Sequence, residues 1–564
     1  MKTLERAFEV MADAPSGVKR LRELILQLAV QGKLVPQDPN DEPASILLEK
    51  IAREKAKLVK EGKIKKGKEL PPVTDEEKPY DLPKGWEWCW LEHLCAHTNN
   101  AIKRGPFGSA IRKDMFVSSG YKIYEQKHAI YGDFSIGSYY INETHFDKLK
   151  DFELFPGDIL ISCAGTVGKL SIVPGSIERG IINQALLKIR LNDKIIPNQY
   201  FLILFPAYLM KSDTLTDLKG TAMKNIVSVK ELRSIPIPLP PLAEQKRIVE
   251  KVDRLMALCD KLEETRKKKE ERRVAMNASA LDRLMNASGP EEFDSAWRRV
   301  RDNFHLLYDR PETVKKLRAA ILQLAVQGKL VPQDPNDEPA SILLEKIARE
   351  KSKLVKEGKI RQGKDLPLVS DDEKPYELPK GWEWVRLGIL IDLISGQHLV
   401  NGQHNNKGQG IPYLTGPADF GDIHPTATRW TKESKVEAIM NDILITVKGA
   451  GVGKANILAM EKCSIGRQIM AIRIIDGEIL YFYTWVLASL RYFQDASDGS
   501  TVPGIGRDDV MDATFPLPPL PEQKRIVAKV NRLVALCDKL ETTLAASRDK
   551  ATSLAASIVN HATA

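Results

Sequence analysis

The sequence is poor in the features that mark secreted, disulfide-stabilised or membrane proteins. Its 564 residues include only six cysteines, which are scattered and therefore indicate a reducing compartment rather than a disulfide framework. The N-terminus lacks the apolar stretch of a secretory signal peptide. The longest membrane-like run, 200–210, is too short to span a bilayer. We therefore expect a cytoplasmic protein with no membrane partner.

The chain also lacks a strong excess of either charge. Lysine and arginine number 84 against 75 acidic residues, a net charge of +9. This mild surplus permits a polyanionic partner without requiring one. Hydrophobic residues make up 43% of the chain, enough for packed cores, and the length indicates three or four folded units.

The most informative feature is that the chain repeats itself. Residues 20–88 recur as 316–384 with 58 of 69 positions identical, and residues 239–264 recur as 517–542 with 21 of 26 identical. The stretches between these blocks, 89–238 and 385–516, match each other poorly. Solenoid repeats are shorter and more numerous. Two similar frames with two dissimilar inserts indicate one scaffold that presents two different reading heads.

This order divides the chain into six parts. They are a helical arm at 1–81, a first head at 82–243, a spacer and connecting helix at 244–310, a second arm at 311–380, a second head at 381–521, and a final spacer helix at 522–564. We call 82–243 head one and 381–521 head two.

The frame, which comprises the two arms, the spacer helices and the connecting helix, is expected to be helical. Apolar spacing predicts arm helices over about 18–31, ended by Gly32, and 43–60. A spacer helix follows Pro240-Pro241 and extends to about residue 285, a connecting helix covers about 291–308, and the second arm begins near Pro311. Each spacer carries a heptad seam, which favours pairing of the two helices, although two unrelated amphipathic helices on separate cores would show the same pattern. The seam positions are Ile248, Val252, Leu255, Cys259, Leu262, Ile526, Val530, Leu533, Cys537 and Leu540.

Inside the heads, a sparse common pattern predicts mixed modules dominated by strands. Residues 157–169 and 441–454 each resemble a strand that runs into a glycine-rich turn ending in lysine. The glycine spacing does not match a nucleotide-binding phosphate loop. The turn either brings a lysine to a DNA phosphate or is a tight turn with a solvated lysine. Strands are also expected at 183–190 and 467–473, followed by aromatic-rich helices.

Several stretches of the heads contain basic residues without acidic ones, so that a basic face can exist on a nearly neutral module. Base reading requires Arg, Lys, Asn or Gln side chains directed into a groove. The DNA-binding candidates in head one are Lys103, Arg104, Arg112, Lys113, Gln126, Lys127, Lys169, Asn183, Gln184, Lys188, Arg190, Lys224 and Asn225. In head two they are Gln397, His398, Asn405, Asn406, Lys407, Lys448, Lys454, Arg467, Gln468, Arg473 and Arg507.

No catalytic or metal site is expected in this chain. The Pro-Pro pairs lack the Asn or Asp before and the aromatic after that an adenine methyltransferase shows, and the acidic clusters at 75–79 and 371–375 lie in a repeated linker. Cys89, His93, Cys95 and His97 have metal-like spacing, but Val385 and Ile389 stand at two of the matching positions of the second copy. Ordinary packing is therefore the expected role of this set.

Taken together, the duplicated frame, the "GWEW" openings, the "GDILIS" strand with its "GTVGK" turn and the "PLPPLAEQKRIV" exit into a heptad helix resemble the specificity subunits of type I restriction-modification systems. The resemblance covers essentially the whole chain. It implies an α+β fold in which two strand-rich α/β target-recognition domains are joined by two long helices in an antiparallel coiled coil, with pseudo-twofold internal symmetry and duplicated helical arms.

The same resemblance implies a function. Each head would read one half of a bipartite, asymmetric target in double-stranded DNA, while the helices dock two methyltransferase subunits and, through the complex, motor-nuclease subunits. S-adenosylmethionine, ATP and Mg would belong to those partners, so that this chain directs adenine methylation or restriction without a catalytic centre of its own. The alternatives are a stand-alone sequence-specific DNA-binding protein and the specificity subunit of a related bipartite-site restriction system.

Overall fold

A computed structural model describes residues 7–8, 11–12, 14–64, 70–107, 110–208, 216–217, 225–226, 228–497 and 503–563, with the backbone alone at 216–217, 225–226 and 562–563. The chain divides into two compact units. Unit 1 comprises 1–269 and 548–564, and unit 2 comprises 270–547. Each unit contains one arm, one head and stretches of both long helices.

The first arm, head and long helix contain, in chain order, α1 (Gly17–Val30), α2 (Ala44–Lys60), β1 (Glu87–Trp90), β2 (Ile102–Arg104), β3 (Phe116–Val117), β4 (Tyr121–Tyr124), α3 (Gln126–Tyr131), β5 (Tyr140–Ile141), α4 (Glu143–Lys148), β6 (Ile159–Ser162), β7 (Leu170–Ile172), β8 (Gly180–Ile182), β9 (Leu186–Ile189), α5 (Asn198–Ala207), β10 (Thr216–Asp217), β11 (Asn225–Ile226), α6 (Val229–Arg233), β12 (Pro236–Leu239) and α7 (Leu242–Met285).

The remainder contains α8 (Pro290–Asp302), α9 (Phe304–Leu307), α10 (Pro311–Val326), α11 (Ala340–Lys356), β13 (Glu383–Arg386), α12 (Leu387–Leu390), β14 (Ile391–Ser395), β15 (Ile411–Leu414), β16 (Trp430–Thr431), β17 (Glu437–Ile439), β18 (Ile443–Thr446), β19 (Ala455–Ile457), β20 (Lys462–Ile465), β21 (Ile469–Ile474), α13 (Ile479–Ala488), α14 (Leu490–Ala496), α15 (Arg507–Met511), β22 (Thr514–Leu517) and α16 (Leu520–Thr563).

The arm helices form where the apolar spacing predicted them. The α1 helix buries Leu21, Leu24 and Ile25 on one face, and it is followed by Gly32 with φ of +68°, a conformation that glycine adopts without the penalty of a Cβ. The predicted connecting helix over about 291–308 is instead two helices, α8 and α9, with Asn303 between them at φ −110°. Among the described helices, none combines the length and apolarity that crossing a membrane requires.

Head one contains two four-stranded sheets. One is antiparallel, with strand order β2-β9-β6-β7, and pairs Ile159 of β6 with Ile189 of β9. The other, ordered β3-β5-β4-β8, is mixed because β4 and β8 run parallel while its other pairs are antiparallel. The β6 and β9 strands are buried throughout, which explains their continuous apolar sequences.

Head two also has one antiparallel and one mixed four-stranded sheet despite its dissimilar sequence, but its parallel pair lies in the middle of the mixed sheet, whereas that of head one lies at the edge. Its antiparallel sheet is ordered β14-β21-β18-β19, and its mixed sheet β16-β15-β20-β17 again has one parallel pair, β15 with β20. The strands expected at 157–169, 183–190, 441–454 and 467–473 and the two aromatic-rich helices are present as β6, β9, β18, β21, α5 and α13. The prediction of mixed, strand-rich heads is confirmed.

Each head is closed at its base by its own first and last strands. In head one, β1 pairs antiparallel with β12, and in head two β13 pairs with β22. Chain entry and exit therefore lie side by side, because the strands that flank the variable segment are hydrogen-bonded to each other.

The duplicated sequence blocks contact one another within unit 1. Near the start of α7, Glu244 accepts hydrogen bonds from the Trp86 indole N–H at 3.0 Å and from the Gln37 side-chain amide at 3.1 Å. One turn later, Arg247 forms two hydrogen bonds with Asp41, at 2.7 and 3.2 Å. The arm connector, the opening of the head and the spacer helix are thereby joined through one buried carboxylate.

Unit 2 repeats these contacts with the second copies of the same residues. Glu522 accepts from the indole of Trp382 at 2.9 Å and from Gln333 at 3.1 Å, and Arg525 binds Asp337 at 2.7 and 3.2 Å. Burial raises the pKa of both Glu244 and Glu522 above the usual value, while the hydrogen bonds that they accept oppose this shift.

Candidate nucleic-acid interface

Four loops of head one meet at one edge of its sheets. The Gly105 N–H donates to the Leu186 carbonyl at 2.9 Å, the Asn183 N–H donates to the Tyr124 carbonyl at 2.9 Å, and the Cys163 N–H donates to the Ala185 carbonyl at 2.8 Å. These bonds connect the ends of β2, β4 and β6 to the turn between β8 and β9. We call residues 104–107, 124–126, 163–169 and 183–185 the loop cluster of head one.

Head two contains the same three bonds between matching strands. Gly396 donates to Ile469 at 3.0 Å, Gly466 donates to Leu414 at 2.8 Å, and Val447 donates to Gln468 at 2.8 Å. The loop cluster of head two comprises residues 396–398, 414–417, 447–454 and 466–468. Because these bonds match, residues 183–186 of head one correspond one to one with residues 466–469 of head two.

Glycine allows the close approach of these loops. A Cβ on Gly105 would lie 1.8 Å from the Asn183 carbonyl oxygen, and one on Gly396 would lie 2.2 Å from the Gly466 carbonyl oxygen. Neither position can hold a side chain unless the neighbouring turn moves. The backbone of each loop cluster is therefore held by hydrogen bonds and by steric fit, as a recognition surface requires.

The glycine-rich turns predicted from the sequence place an exposed lysine in each head. Ser162 donates to the carbonyl of Lys169 at 2.9 Å, and Thr446 donates to that of Lys454 at 2.8 Å. Gly168 and Gly453 precede these lysines with φ of +81° and +84°. The lysines occupy equivalent positions, because the same strand residue of each hairpin binds them.

Exposed polar side chains cluster around these turns. Besides the two lysines, the candidates that are exposed in the loop clusters are Gln184, Gln397, His398, Lys448, Arg467 and Gln468. Among the described residues, no acidic partner is recorded for Lys169, Lys454 or Arg467. The carboxylates close by are already engaged, since Asp419 accepts from Thr415 and Glu125 pairs with Lys127. The surface is thus positively charged and contains donors and acceptors suited to base edges.

Two predicted DNA contacts form ion pairs with buried aspartates of the heads. Arg190 binds Asp158 through two hydrogen bonds at 2.6 and 3.0 Å, and Arg473 binds Asp442 at 3.0 and 2.8 Å. Both aspartates are almost fully buried. Each guanidinium neutralises a carboxylate at the start of β6 or β18, which gives both arginines a role in the stability of the fold, and their contact with DNA stays a prediction.

Burial likewise removes Lys188 from the candidate surface. Its side chain is 4% exposed, and its ammonium group donates to the Glu153 carbonyl. Burial lowers the pKa of Lys188 from 10.5 to about 8. Such a lysine contributes to packing and is not available to a phosphate.

Other candidates are occupied by intramolecular contacts. Gln126 donates to the carbonyls of Ala164 and Thr166 and so supports the glycine-rich turn, while Arg507 donates to the Leu393 carbonyl at 2.7 Å. The side chains of Asn183 and Asn405 accept backbone N–H groups of their own loops. Ion pairs engage Lys103 with Asp151, Arg112 with Asp114 and Lys127 with Glu125. These side chains shape the loops, and their contact with DNA remains a prediction.

The remaining candidates are more loosely placed. Lys113, Asn406 and Lys407 are exposed outside the loop clusters. Arg104 lies on β2 with its guanidinium 5.4 Å from the centre of the Phe107 ring. Only the backbone of Asn225 is described, and Lys224 lies outside the described residues.

The heptad positions of the long helices lie in separate cores. Ile248, Val252, Leu255 and Cys259 belong to the core of unit 1, which also contains α1, and Leu262 packs against it. In unit 2, Ile526 and Val530 lie in the core of the head, while Leu533, Cys537 and Leu540 belong to or pack against the cluster around α10. Residues of the other long helix also lie in two of these cores, since Ala555 of α16 is buried in the core of unit 1 and Leu284 of α7 in the cluster around α10. Direct pairing of the two seams stays a prediction.

The cysteine and histidine set of head one is part of the packing. Cys89 and Cys95 are buried, and Cys95 Sγ donates to the Leu91 carbonyl at 3.4 Å. Burial raises the pKa of the Cys95 thiol to about 12, which opposes the thiolate that a zinc ligand must become. Within the described residues no group of three or more His, Cys, Asp and Glu side chains is arranged to hold a metal ion.

Sequence reasoning missed two features of the site. Phe107, 70% exposed, stands in the loop cluster of head one beside Arg104, and a single aromatic in a loop gives no pattern that would reveal it. The buried pairs Asp158–Arg190 and Asp442–Arg473 were detectable, because an aspartate just before one strand and an arginine near the end of the later strand recur in both heads.

Comparison with known proteins agrees with these observations. The family model described as "Type I restriction modification DNA specificity domain" matches the chain twice, over residues 111–272 and 379–547. The two matches cover most of both heads and a large part of both long helices.

Two curated relatives match nearly the whole chain. The "Type I restriction enzyme EcoAI specificity subunit" of Escherichia coli is 35% identical, covering 93% of this chain and 90% of that protein. The "Type I restriction enzyme EcoEI specificity subunit", also of Escherichia coli, is 33% identical, covering 97% and 94%. A solved structure, the HsdS subunit from Thermoanaerobacter tengcongensis, is similar at 23% identity and a TM-score of 0.44, covering 86% of this chain and 98% of that one.

Proposed function

The chain belongs to the family of type I restriction-modification DNA specificity subunits, and from this premise we propose that its two heads read the two unlike halves of one bipartite DNA target. The observation that carries the proposal is the pair of loop clusters. Their backbones match bond for bond, yet they present different side chains at the edge. A common backbone with different side chains is what two related readers of different sequences require.

We further infer that α7 and α16 run antiparallel and set the separation of the two half-sites. Unit 1 contains the first part of α7 together with the last part of α16, whose Ala555 is buried in its core. Unit 2 contains the first part of α16 together with the last part of α7, whose Leu281 and Leu284 are buried there. This exchange supports an antiparallel pair with pseudo-twofold symmetry. Each helix has 44 residues, about 66 Å at 1.5 Å per residue, which suits half-sites one or two DNA turns apart.

We also propose that the duplicated frame docks two methyltransferase subunits in the cytoplasm. Leu258 of α7 and its counterpart Leu536 of α16 are 53% and 55% exposed. Met276 and its counterpart Leu554 are also exposed, at 49% and 52%. Exposed apolar side chains at equivalent positions support two equivalent contacts with copies of one partner. In this proposal S-adenosylmethionine, ATP and Mg are bound by the methyltransferase and motor-nuclease partners, and this chain supplies no catalytic group.

Exchange of one head tests the recognition part of the proposal. We expect that replacing 385–516 by the corresponding segment of a relative changes one half of the methylated sequence and leaves the other half intact, as read from methylated positions in host DNA. The paired strands β13 and β22 are the natural junctions, because they close the base of the head. Loss or alteration of both halves would contradict independent reading. Tight, specific binding by the purified chain without any partner would favour the stand-alone DNA-binding protein.

Charge substitution on the frame tests docking. We expect L258E and L536E each to lower the number of bound methyltransferase subunits from two to one, measured by native mass spectrometry of the co-purified complex. L368E is the control, because Leu368 is 90% exposed but the first copy has Pro72 at this position. Two subunits bound to each single variant and to the double variant would refute the proposed contact.

A further inference from the structure

The two heads carry different exposed side chains at one equivalent position of their loop clusters. In head one the Leu186 N–H donates to the Asn183 carbonyl at 3.1 Å, and in head two the Ile469 N–H donates to the Gly466 carbonyl at 2.9 Å. Each bond closes a four-residue turn. The second residue of the turn is Gln184 in head one and Arg467 in head two, and both are exposed.

We propose that Arg467 reads a guanine in the half-site of head two and that Gln184 reads an adenine in the half-site of head one. This inference rests on the proposed function and names the residues that decide it. Arginine forms two hydrogen bonds with O6 and N7 of guanine, whereas the glutamine amide pairs with N6 and N7 of adenine in the major groove.

The backbone beneath both side chains is fixed. On one side of the turn Asn183 and Gly466 are bound to the ends of β4 and β15, and on the other side Ala185 and Gln468 are bound to residues that follow β6 and β18. A side chain on such a turn starts from a defined position, so little ordering is required on binding. Arg467 has no recorded acidic partner among the described residues, which leaves its guanidinium available.

Because the two heads are related by duplication, a comparison of their equivalent residues distinguishes expected base contacts from expected phosphate contacts. Phosphates are common to both half-sites, and the equivalent lysines Lys169 and Lys454 are common to both loop clusters. Bases differ between unlike half-sites, and the residues at the tips differ as well. A contact that serves every sequence is expected to be the same in both heads, whereas one that selects a base is expected to differ.

The neighbouring residue is a weaker candidate for base reading. A Cβ on Gly416 would lie 2.1 Å from Oε1 of Gln468, so the Gln468 amide lies against the Gly416 backbone. The equivalent residue in head one is Ala185, which has no polar side chain. Within the described residues of the loop clusters, this leaves the second turn residue as the position that is exposed and polar in both heads and differs between them.

The test is selection of duplexes from a random DNA pool by the full chain with its methyltransferase partner. With R467Q, we expect the preference for guanine at one position of a single half-site to fall by about 5- to 150-fold or to be replaced by a preference for adenine. With Q184R, we expect the preference for adenine at one position of the other half-site to shift towards guanine. The two substitutions must affect different half-sites.

Two controls separate base reading from general charge. K462Q removes a cation of head two at the opposite end of β20, where Lys462 is paired with Glu437, and it should alter neither half-site. K454Q should weaken binding to all sequences alike and reduce the salt dependence of binding. Melting curves of each variant check that the head is folded, which exposed positions should permit.

The outcomes also distinguish this inference from the proposed function. If the unmodified chain selects a two-part sequence and both R467Q and Q184R select that same sequence with uniformly weaker binding, the two tips contact phosphate and the inference is overturned while the proposed function stands. If the unmodified chain selects no two-part sequence, the proposed function itself fails.

Discussion

The guanidinium of Arg473 is bound side-on to the carboxylate of Asp442, with Nη2 to Oδ2 at 2.8 Å and Nε to Oδ1 at 3.0 Å. Asp442 is 2% exposed and also accepts the Ile439 N–H at 2.8 Å. The negative charge at the start of β18 is therefore compensated inside head two. Among the residues that the structure describes, Arg467, six residues earlier, has no acidic partner, so two neighbouring arginines have different environments.

Substitution of these two arginines should separate stability from recognition. We expect R473M to lower the local free energy of unfolding by about 2 to 4 kcal/mol, because it leaves the buried Asp442 charge unpaired. The loss should stay below that of a fully buried pair, since the Arg473 side chain is 30% exposed. Hydrogen-exchange mass spectrometry of peptides from β18 and β21 measures the effect.

R467M is the matched control for this experiment. It removes the same kind of side chain from an exposed turn, and the same peptides should change by no more than about 0.5 kcal/mol. An equal loss of protection in R467M and R473M would show that the ion pair is not what stabilises the head.

The frame of the molecule could be predicted from the sequence, because the patterns that indicate it are local apolar spacings or repeated blocks. Apolar spacing located α1, α2 and α7 to within about a residue or two, and the repeats revealed the duplicated arrangement. Strands such as β6 and β18 were visible as short apolar runs before glycine-rich turns. Two-residue strands such as β3 and β5 were not, since their pairing depends on the rest of the sheet.

The candidate site was only partly readable, because charge in a sequence window does not reveal its partner across a sheet. Arg190 lies in an acid-free stretch, yet Asp158, 32 positions earlier, lies beside it in space. Likewise, a heptad pattern shows that a helix face is buried but not what covers it. In unit 1 the cover of α7 includes the arm helix α1, whose Arg22 binds Asp260 at 2.7 Å.

The carboxylate that joins arm, head and spacer should make the frame sensitive to pH. In W86F, Glu244 loses one of the donors that favour its charged form, so its pKa should rise further. A raised folded-state pKa means that the folded chain binds more protons than the unfolded chain above pH 4.5, so its stability falls as pH rises through that window. The destabilisation by W86F should therefore be larger at pH 7.5 than at pH 5, measured by thermal unfolding.

Two further variants control this experiment. W382F changes the equivalent tryptophan, which donates to Glu522, and should show the same dependence on pH. In W86F with E244Q, the pH-dependent part should disappear, because no carboxylate remains to titrate. A W86F effect that is the same at both pH values would mean that only packing volume was lost.

Buried Lys188 should stabilise head one as pH rises above 8. Its pKa is about 8 in the folded chain against 10.5 ordinarily, so between these values the unfolded chain binds more protons and the free energy of unfolding increases with pH. Relative to K188M, the unmodified chain should gain about 2 kcal/mol between pH 8 and pH 9.5, measured by urea unfolding. K169M, which changes an exposed lysine of the same head, should show no such gain, and a constant difference between the unmodified chain and K188M would contradict the depressed pKa.

The close approach of β2 to the neighbouring turn should make Gly105 essential for recognition by head one. In G105A, the new methyl group would meet the Asn183 carbonyl oxygen at 1.8 Å and the Gln184 amide nitrogen at 2.9 Å, so the turn that carries Gln184 must shift. Because overpacking of this kind costs about 1 to 3 kcal/mol, we expect binding to the half-site of head one to weaken by about 5- to 150-fold, measured by competition with duplexes altered in one half. The half-site of head two should be read as before.

G175A is the control in the same head, since nothing lies within 4 Å of a Cβ at Gly175 and its φ is not positive. Equal binding by G105A and G175A would show that the geometry of the turn does not determine recognition, and the role assigned to Gln184 would then lose its structural basis.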